Sequence, residues 1–130
     1  MNDDHKRVWE NGTVWMMSKL RTMPGMFNAS IQELKKYWRP YLEAQMKAGD
    51  VLSYKVFVAP SRGEDDADLM LMVEYKNWAV FDRGPAHSES LIEKTFGTFD
   101  RAVEAKVNRQ SLRHCLGDVH LQEIRFSEDK

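Results

Sequence analysis

The stretch DLMLMVEYKNW, Asp68 to Trp78, decides the fold. A strand with one wet face alternates apolar and polar residues, because successive side chains point to opposite sides of the sheet. Here Leu69, Met70, Leu71, Met72 and Val73 run unbroken. Both faces of this strand must therefore be covered, which places it in the middle of a sheet and asks what lies on each side.

The neighbouring segments supply the partners. TVWMMSKLR, Thr13 to Arg21, reads as a first strand, with Val14, Met16, Ser18 and Leu20 on one face and Trp15, Met17 and Lys19 on the other. A helix is expected over about Ser30 to Ala48. Ser30 and Glu33 have capping-box spacing, and Ile31, Leu34, Trp38, Tyr41, Leu42 and Gln45 share a face. Gly49 is its natural stop, and Pro40 inside it predicts a kink near Lys36 to Pro40. VLSYKVFVA, Val51 to Ala59, reads as a second strand, with Leu52, Tyr54, Val56 and Val58 on one face and Val51, Ser53, Lys55 and Phe57 on the other. Across the loop PSRGEDDA it forms a hairpin with the opening stretch.

Beyond Trp78, Asn77 is expected to cap a short helix through Asp82. A capping box from Ser90 to Glu93 starts a second helix after the RGP break, and Thr98 caps a third running to about Leu116. Asp118 to Phe126 is the last strand. The expected organisation is an N-terminal arm over residues 1–12, a single domain over 13–126 and a polar tail over 127–130.

This order is the split βαβ pattern of an α+β, ferredoxin-like βαββαβ domain. It has a four-stranded antiparallel sheet, helices on one face, and the first and third strands in the centre. Leu69, Leu71, Val73 and Tyr75 then meet the helices. Trp15, Met17, Phe57, Met70 and Met72 gather on the opposite face, with Lys19, Lys55, Glu74 and Lys76 around them. One helix layer cannot cover both faces, so a second copy packed sheet to sheet is the expected partner.

The segments GTVWMMSKLRTMPGM, LKKYWRPYLEAQMKAGDVLSYKVF and DLMLMVEYKNWAVFD resemble the dimeric α+β-barrel superfamily. More narrowly, they resemble a bacterial group whose pattern has a strand ending in KPG, a W-K-P helix, LSYKV and LMVEYKN. Those positions read Met23-Pro24-Gly25, Trp38-Arg39-Pro40, Leu52 to Val56 and Leu71 to Asn77, and the likeness covers roughly Gly12 to Asp82. The resemblance implies the fold and a homodimer. The wider superfamily includes cofactor-free monooxygenases, isomerases, dehydratases and haem-degrading enzymes. In the haem-degrading type an Asn on the first strand joins a Trp and a helix His. Trp78 and His87 are present here, but the strand from Thr13 to Arg21 has no Asn, and no cofactor is expected.

Composition narrows the function classes. The chain has 130 residues, 42% hydrophobic and 30% charged, with a net charge of −1 and acids and bases interspersed. Disorder is not indicated, and a nucleic-acid surface would need a basic excess. No apolar run approaches the roughly 20 residues that span a bilayer. The polar start is not expected to act as a secretory leader, so the chain as it stands points to the cytoplasm, and to export if a leader was removed. Cys115 is the single cysteine and cannot form an intrachain disulfide.

Of the histidines, His5, His87, His114 and His120, none has metal-ligand spacing. His87 is the candidate catalytic proton carrier, in a position to tip over a pocket mouth. His120 faces either a pocket or the dimer interface. His114 beside Cys115 on a helix cannot form a nucleophile–base pair. Trp38, Tyr41, Tyr54 and Tyr75, with His120, are the candidate lining of a pocket between helix and sheet for a small apolar or aromatic ligand. A pocket of about 300 Å³ or more separates that reading from a filled aromatic core in a non-catalytic dimer. GEDDAD lacks the alternating ligands of a calcium loop and reads as a solvated turn.

Overall fold

Strand β3, Leu69–Tyr75, alternates perfectly in burial: Leu69, Leu71, Val73 and Tyr75 are buried, and the residues between them are half-exposed. The computed structural model describes residues 6–60, 63 and 65–128. His5, the first five residues of the expected arm, Ser61, Arg62 and Glu64 of the hairpin loop, and the last two residues of the tail lie outside the described residues. The order is β1 (Trp9–Thr22), α1 (Phe27–Glu33), a π turn (Leu34–Trp38), α2 (Arg39–Lys47), β2 (Val51–Val58) and β3. It continues with a 3₁₀ turn (Trp78–Asp82), α3 (Pro85–Phe96), α4 (Phe99–Gln110) and β4 (Arg113–Phe126). The strands lie in the order β2-β3-β1-β4, and every neighbouring pair is antiparallel. This is the ferredoxin-like α+β fold, with β1 and β3 central as expected.

The two faces of the sheet follow from the register. Toward the helices, Tyr54, Val73, Met16 and His120 form one row across the four strands. On the open face the rows are Lys55, Met72, Met17, Val119 and, one step along, Phe57, Met70, Lys19, Gly117. A third row holds Ser53, Glu74, Trp15 and Leu121. The Glu74 carboxylate accepts from Thr13 Oγ1 and from Ser53 Oγ, both at 2.7 Å, so one acid ties three strands together. The core lies on the helix side, where Val14, Leu42, Val51, Val73 and Tyr75 make one cluster and Leu20, Leu34, Leu69 and Leu71 another.

Several local expectations are corrected. Helix α1 begins at Phe27, three residues early, and Ser30 is a fully buried helix residue whose Oγ donates to the Leu112 carbonyl rather than capping. Where the kink near Pro40 is expected, the helix carries a widened π turn, Leu34–Trp38. The Arg39 N–H donates to the Leu34 carbonyl, five residues back, just before the proline whose missing N–H would have left a gap. Helix α3 begins at Pro85, so Ser90 lies inside it; Pro at the first helical position fits, since its N–H would be unused there. Thr98 does cap α4, accepting from the Arg101 N–H at 3.2 Å.

The first and last strands are both longer than the sequence suggests. β1 starts at Trp9, so the end of the expected arm is strand, and Asn11 therefore lies on the first strand opposite Ile124. β4 starts at Arg113, so His114, Cys115 and Leu116 are strand and α4 stops at Gln110. Pairing with β1 as far as Thr22–Arg113 overrides the helical pattern there. Gly117, at φ +142°, sits where the register with β1 shifts. In β2 a register shift between Val51 and Ser53 turns Val51 into the core at 2% exposure, while Leu52 is 46% exposed, the reverse of strict alternation.

Candidate functional site

The helical layer carries an open cavity of ≈ 470 Å³. The first wall comes from the π turn and α2, which present Tyr37, Trp38 and Tyr41. The second comes from α3 through Ile92 and Phe96. The third is a stripe along α4, Phe99, Ala102, Val103, Lys106 and Arg109, whose three- and four-residue spacing puts them on one face. No strand residue lines it, so the space lies among the helices and not between helices and sheet as expected. Tyr37 and Phe96 stack at 5.1 Å between centroids, closing one side with aromatic surface. Burial pushes the Tyr41 hydroxyl above the usual phenol pKa, so it presents a neutral donor near neutral pH.

The candidate residues distribute over three places. Trp38 and Tyr41 line the cavity. Tyr54 meets Trp38 edge to face at 5.3 Å and lines, with it, a smaller hollow of ≈ 190 Å³ against β2. Tyr75 is buried in the sheet core beneath Phe81, with ring centroids 4.7 Å apart. Burial, with the nearby Tyr41 and Asp118, pushes the Tyr75 hydroxyl up to about 12. His120 lies on the helix side of β4, 5.0 Å from the Phe81 ring and 6.2 Å from Trp78. Trp78 is 48% exposed, and its indole N–H donates to Gln122 Oε1 at 2.6 Å.

His87 is in the first turn of α3, with Nε2 3.6 Å from Oδ2 of Asp50. Asp50 is 3% exposed and its Oδ1 accepts from Arg83 at 2.7 Å. That hydrogen bond raises the Arg83 pKa. His87 is not part of the cavity lining.

His114 and Cys115 are strand neighbours on opposite faces, and the Cys115 thiol lies 3.7 Å from Asp118 Oδ1. His114 instead borders a polar cleft at the end of the sheet with Arg21, Asp65 and Asp68. In that cleft, both the Thr22 backbone N–H and its hydroxyl donate to the Asp68 carboxylate.

Sequence reasoning missed the α4 stripe, although its spacing was a usable signal. It also missed the buried charge cluster beside it. Glu33 of α1 pairs with Arg113 at 2.6 Å and with Arg109 at 3.8 Å. Those three positions carry no local pattern, and neither do Asp50 and Arg83. Among the described residues no three His, Cys, Asp or Glu side chains converge as a metal site would require. No helix is long and apolar enough to cross a membrane.

No protein-family model matches the chain, and no curated protein does. Solved structures do resemble it. HapK from Hahella chejuensis aligns over 85% of this chain and 91% of its own, at 11% identity and a TM-score of 0.56. A Shewanella oneidensis protein aligns over 89% and 97%, at 13% identity and a TM-score of 0.54. A protein from an uncultured marine organism, described as dimeric and ferredoxin-like, aligns over 93% of both chains at 12% identity and a TM-score of 0.53. At these identities the likeness is one of fold.

Proposed function

We propose that the protein is a homodimer whose subunits each bind a small, mostly apolar or aromatic ligand in the cavity among the helices. The observation that carries the reading is the ≈ 470 Å³ space walled by Tyr37, Trp38, Tyr41, Phe96 and Phe99, larger than the about 300 Å³ at which small-molecule sites begin. Native mass spectrometry of the protein purified from cells tests both halves: a dimer with added mass is expected. A wild-type protein that takes up no apolar or aromatic compound, or whose uptake is unchanged by Val103→Trp in a folded protein, removes the ligand reading.

The dimer half rests on the open face. Trp15, Met17, Phe57, Met70 and Met72 lie together there, and none is covered by the protein's own helices. Phe57 is 49% exposed. Lys19, Lys55 and Glu74 share the face, so two copies related by a two-fold axis can meet apolar against apolar and cation against acid. The marine relative's description as dimeric agrees with this. Sedimentation at micromolar concentration is expected to give a dimer, and Met72→Glu a monomer; a wild-type monomer refutes it.

A second reading, cofactor-independent catalysis of the monooxygenase or isomerase type, is favoured by one observation, the His87–Asp50 approach at 3.6 Å. A buried carboxylate beside a partly exposed imidazole orients it for proton transfer. His87 is then the proton carrier, with Tyr54 and Trp38 positioning the substrate. Turnover that survives both His87→Ala and Tyr54→Phe removes this reading.

A further inference from the structure

We infer that the cavity selects an amphipathic anion, an aromatic or alkyl body carrying one carboxylate-like group held by Lys106 and Arg109. This rests on the ligand reading above and adds the charge of the ligand to it.

The polarity of the cavity is graded along α4. Phe99 begins the stripe, Ala102 and Val103 continue it, and Lys106 and Arg109 end it. At about 1.5 Å per residue, the ten steps from Phe99 to Arg109 separate the apolar and cationic ends by roughly 15 Å. Both charged residues of the lining are cations, and no carboxylate lines the space. In a chain of net charge −1 that segregation is local and not a reflection of composition.

The neighbouring charges do not cancel it. Glu33 is the acid near this end, and it serves two arginines, Arg113 at 2.6 Å and Arg109 at 3.8 Å. The closer partner is Arg113, whose side chain is 9% exposed, and neither Glu33 oxygen has a hydrogen-bond partner among the described residues. Arg109, 34% exposed, is the more distant partner of Glu33 and also lines the cavity. Lys106 makes no hydrogen bond or ion pair among the described residues. One carboxylate against three cations leaves an excess of positive charge where the apolar walls end. A planar carboxylate suits the guanidinium fork, and a nearby ammonium adds a point charge. A neutral apolar ligand would fill the walls and leave both cations without use.

The test compares 2-naphthoate with 2-naphthamide, the same ring system with and without charge, by calorimetry on the full chain. The acid is expected to bind at least about tenfold tighter, a preference that shrinks as salt is raised. Lys106→Met keeps the wall and removes a charge; it is expected to cut the preference to about threefold or less, weakening acid binding more than amide binding. Arg109→Met, checked for fold by circular dichroism, is expected to act in the same direction. Equal binding of acid and amide by the wild-type protein overturns the inference and leaves the ligand reading standing. Binding of neither probe overturns both. A preference that persists in Lys106→Met and Arg109→Met places the anion elsewhere and overturns the assignment.

Discussion

The Asp50 carboxylate, buried where α2 gives way to β2, accepts from the guanidinium of Arg83 at 2.7 Å, and the two partners are unequally solvated. The Asp50 side chain is 4% exposed and the Arg83 side chain 52%. The pair therefore responds asymmetrically to substitution. Arg83→Ala strands a buried carboxylate, whose Oδ2 already lacks a hydrogen bond, and an unpaired buried acid costs about 1–3 kcal/mol. Asp50→Asn leaves an arginine that water can solvate. Thermal melts are expected to show the larger drop for Arg83→Ala; the opposite order would contradict the geometry.

The register shift in β2 makes a second, local prediction. Val51→Ala removes two buried methyl groups at about 0.8 kcal/mol each, plus a cavity cost, so a loss of about 2 kcal/mol is expected. Leu52→Ala, at an exposed site, is expected to cost under about 0.5 kcal/mol despite the larger side chain. Urea unfolding of the two variants checks this, and strict alternation would give the reverse.

Glu33 links α1 to the end of α4 and the start of β4. Glu33→Gln leaves the Arg113 charge buried without its partner, a loss of about 3–5 kcal/mol by analogy with broken buried pairs. Replacing both, as Glu33→Leu with Arg113→Met, removes the stranded charge along with the pair and is expected to be milder than either single change. Denaturant midpoints of Glu33→Leu, Arg113→Met and the double variant close the cycle.

Tyr75 gives a pH dependence with a definite sign. Its hydroxyl titrates at about 12 in the folded protein and near the ordinary phenol value of about 10 when unfolded. Between those values the folded state holds the proton and the unfolded state does not. The contribution is present in full below about pH 10 and is lost as pH rises toward 12. The unfolding midpoint is expected to fall across that window, and more shallowly in Tyr75→Phe. Some slope remains in that variant, because burial raises Tyr41 in the same direction.

The central strand was legible because the unbroken apolar run from Leu69 to Val73 demands cover on both faces of the sheet, and that strand carries the strand order with it. The ends of elements were less so. Ser30 has the chemistry of a cap, but a buried serine bonded to Leu112 across the fold satisfies the same hydroxyl equally well. His114 to Leu116 read as helix because the partners of His114 and Cys115, Arg21 and Leu20, lie far away in the sequence and leave no local signal. Of the candidate site, Trp38 and Tyr41 were visible as the aromatic part of a helix face. Lys106 and Arg109 were hidden because a cation at helical spacing ordinarily marks a solvated face. Only the placement of α3 and α4 beside α2 makes their side of the helix concave.

If the chain pairs as proposed above, Glu74 bears on how a subunit survives before it finds another. A newly made chain exposes Trp15, Met17, Met70 and Met72 to every other protein in a crowded cell. The carboxylate in the middle of that face, held by Thr13 and Ser53, does not swing aside for a chance encounter. An intruding apolar surface would have to dehydrate it with nothing in return, whereas a correctly aligned copy can bring a lysine. In the proposed dimer the acid would act as a password on a sticky surface, slowing promiscuous aggregation more than it slows the proper meeting.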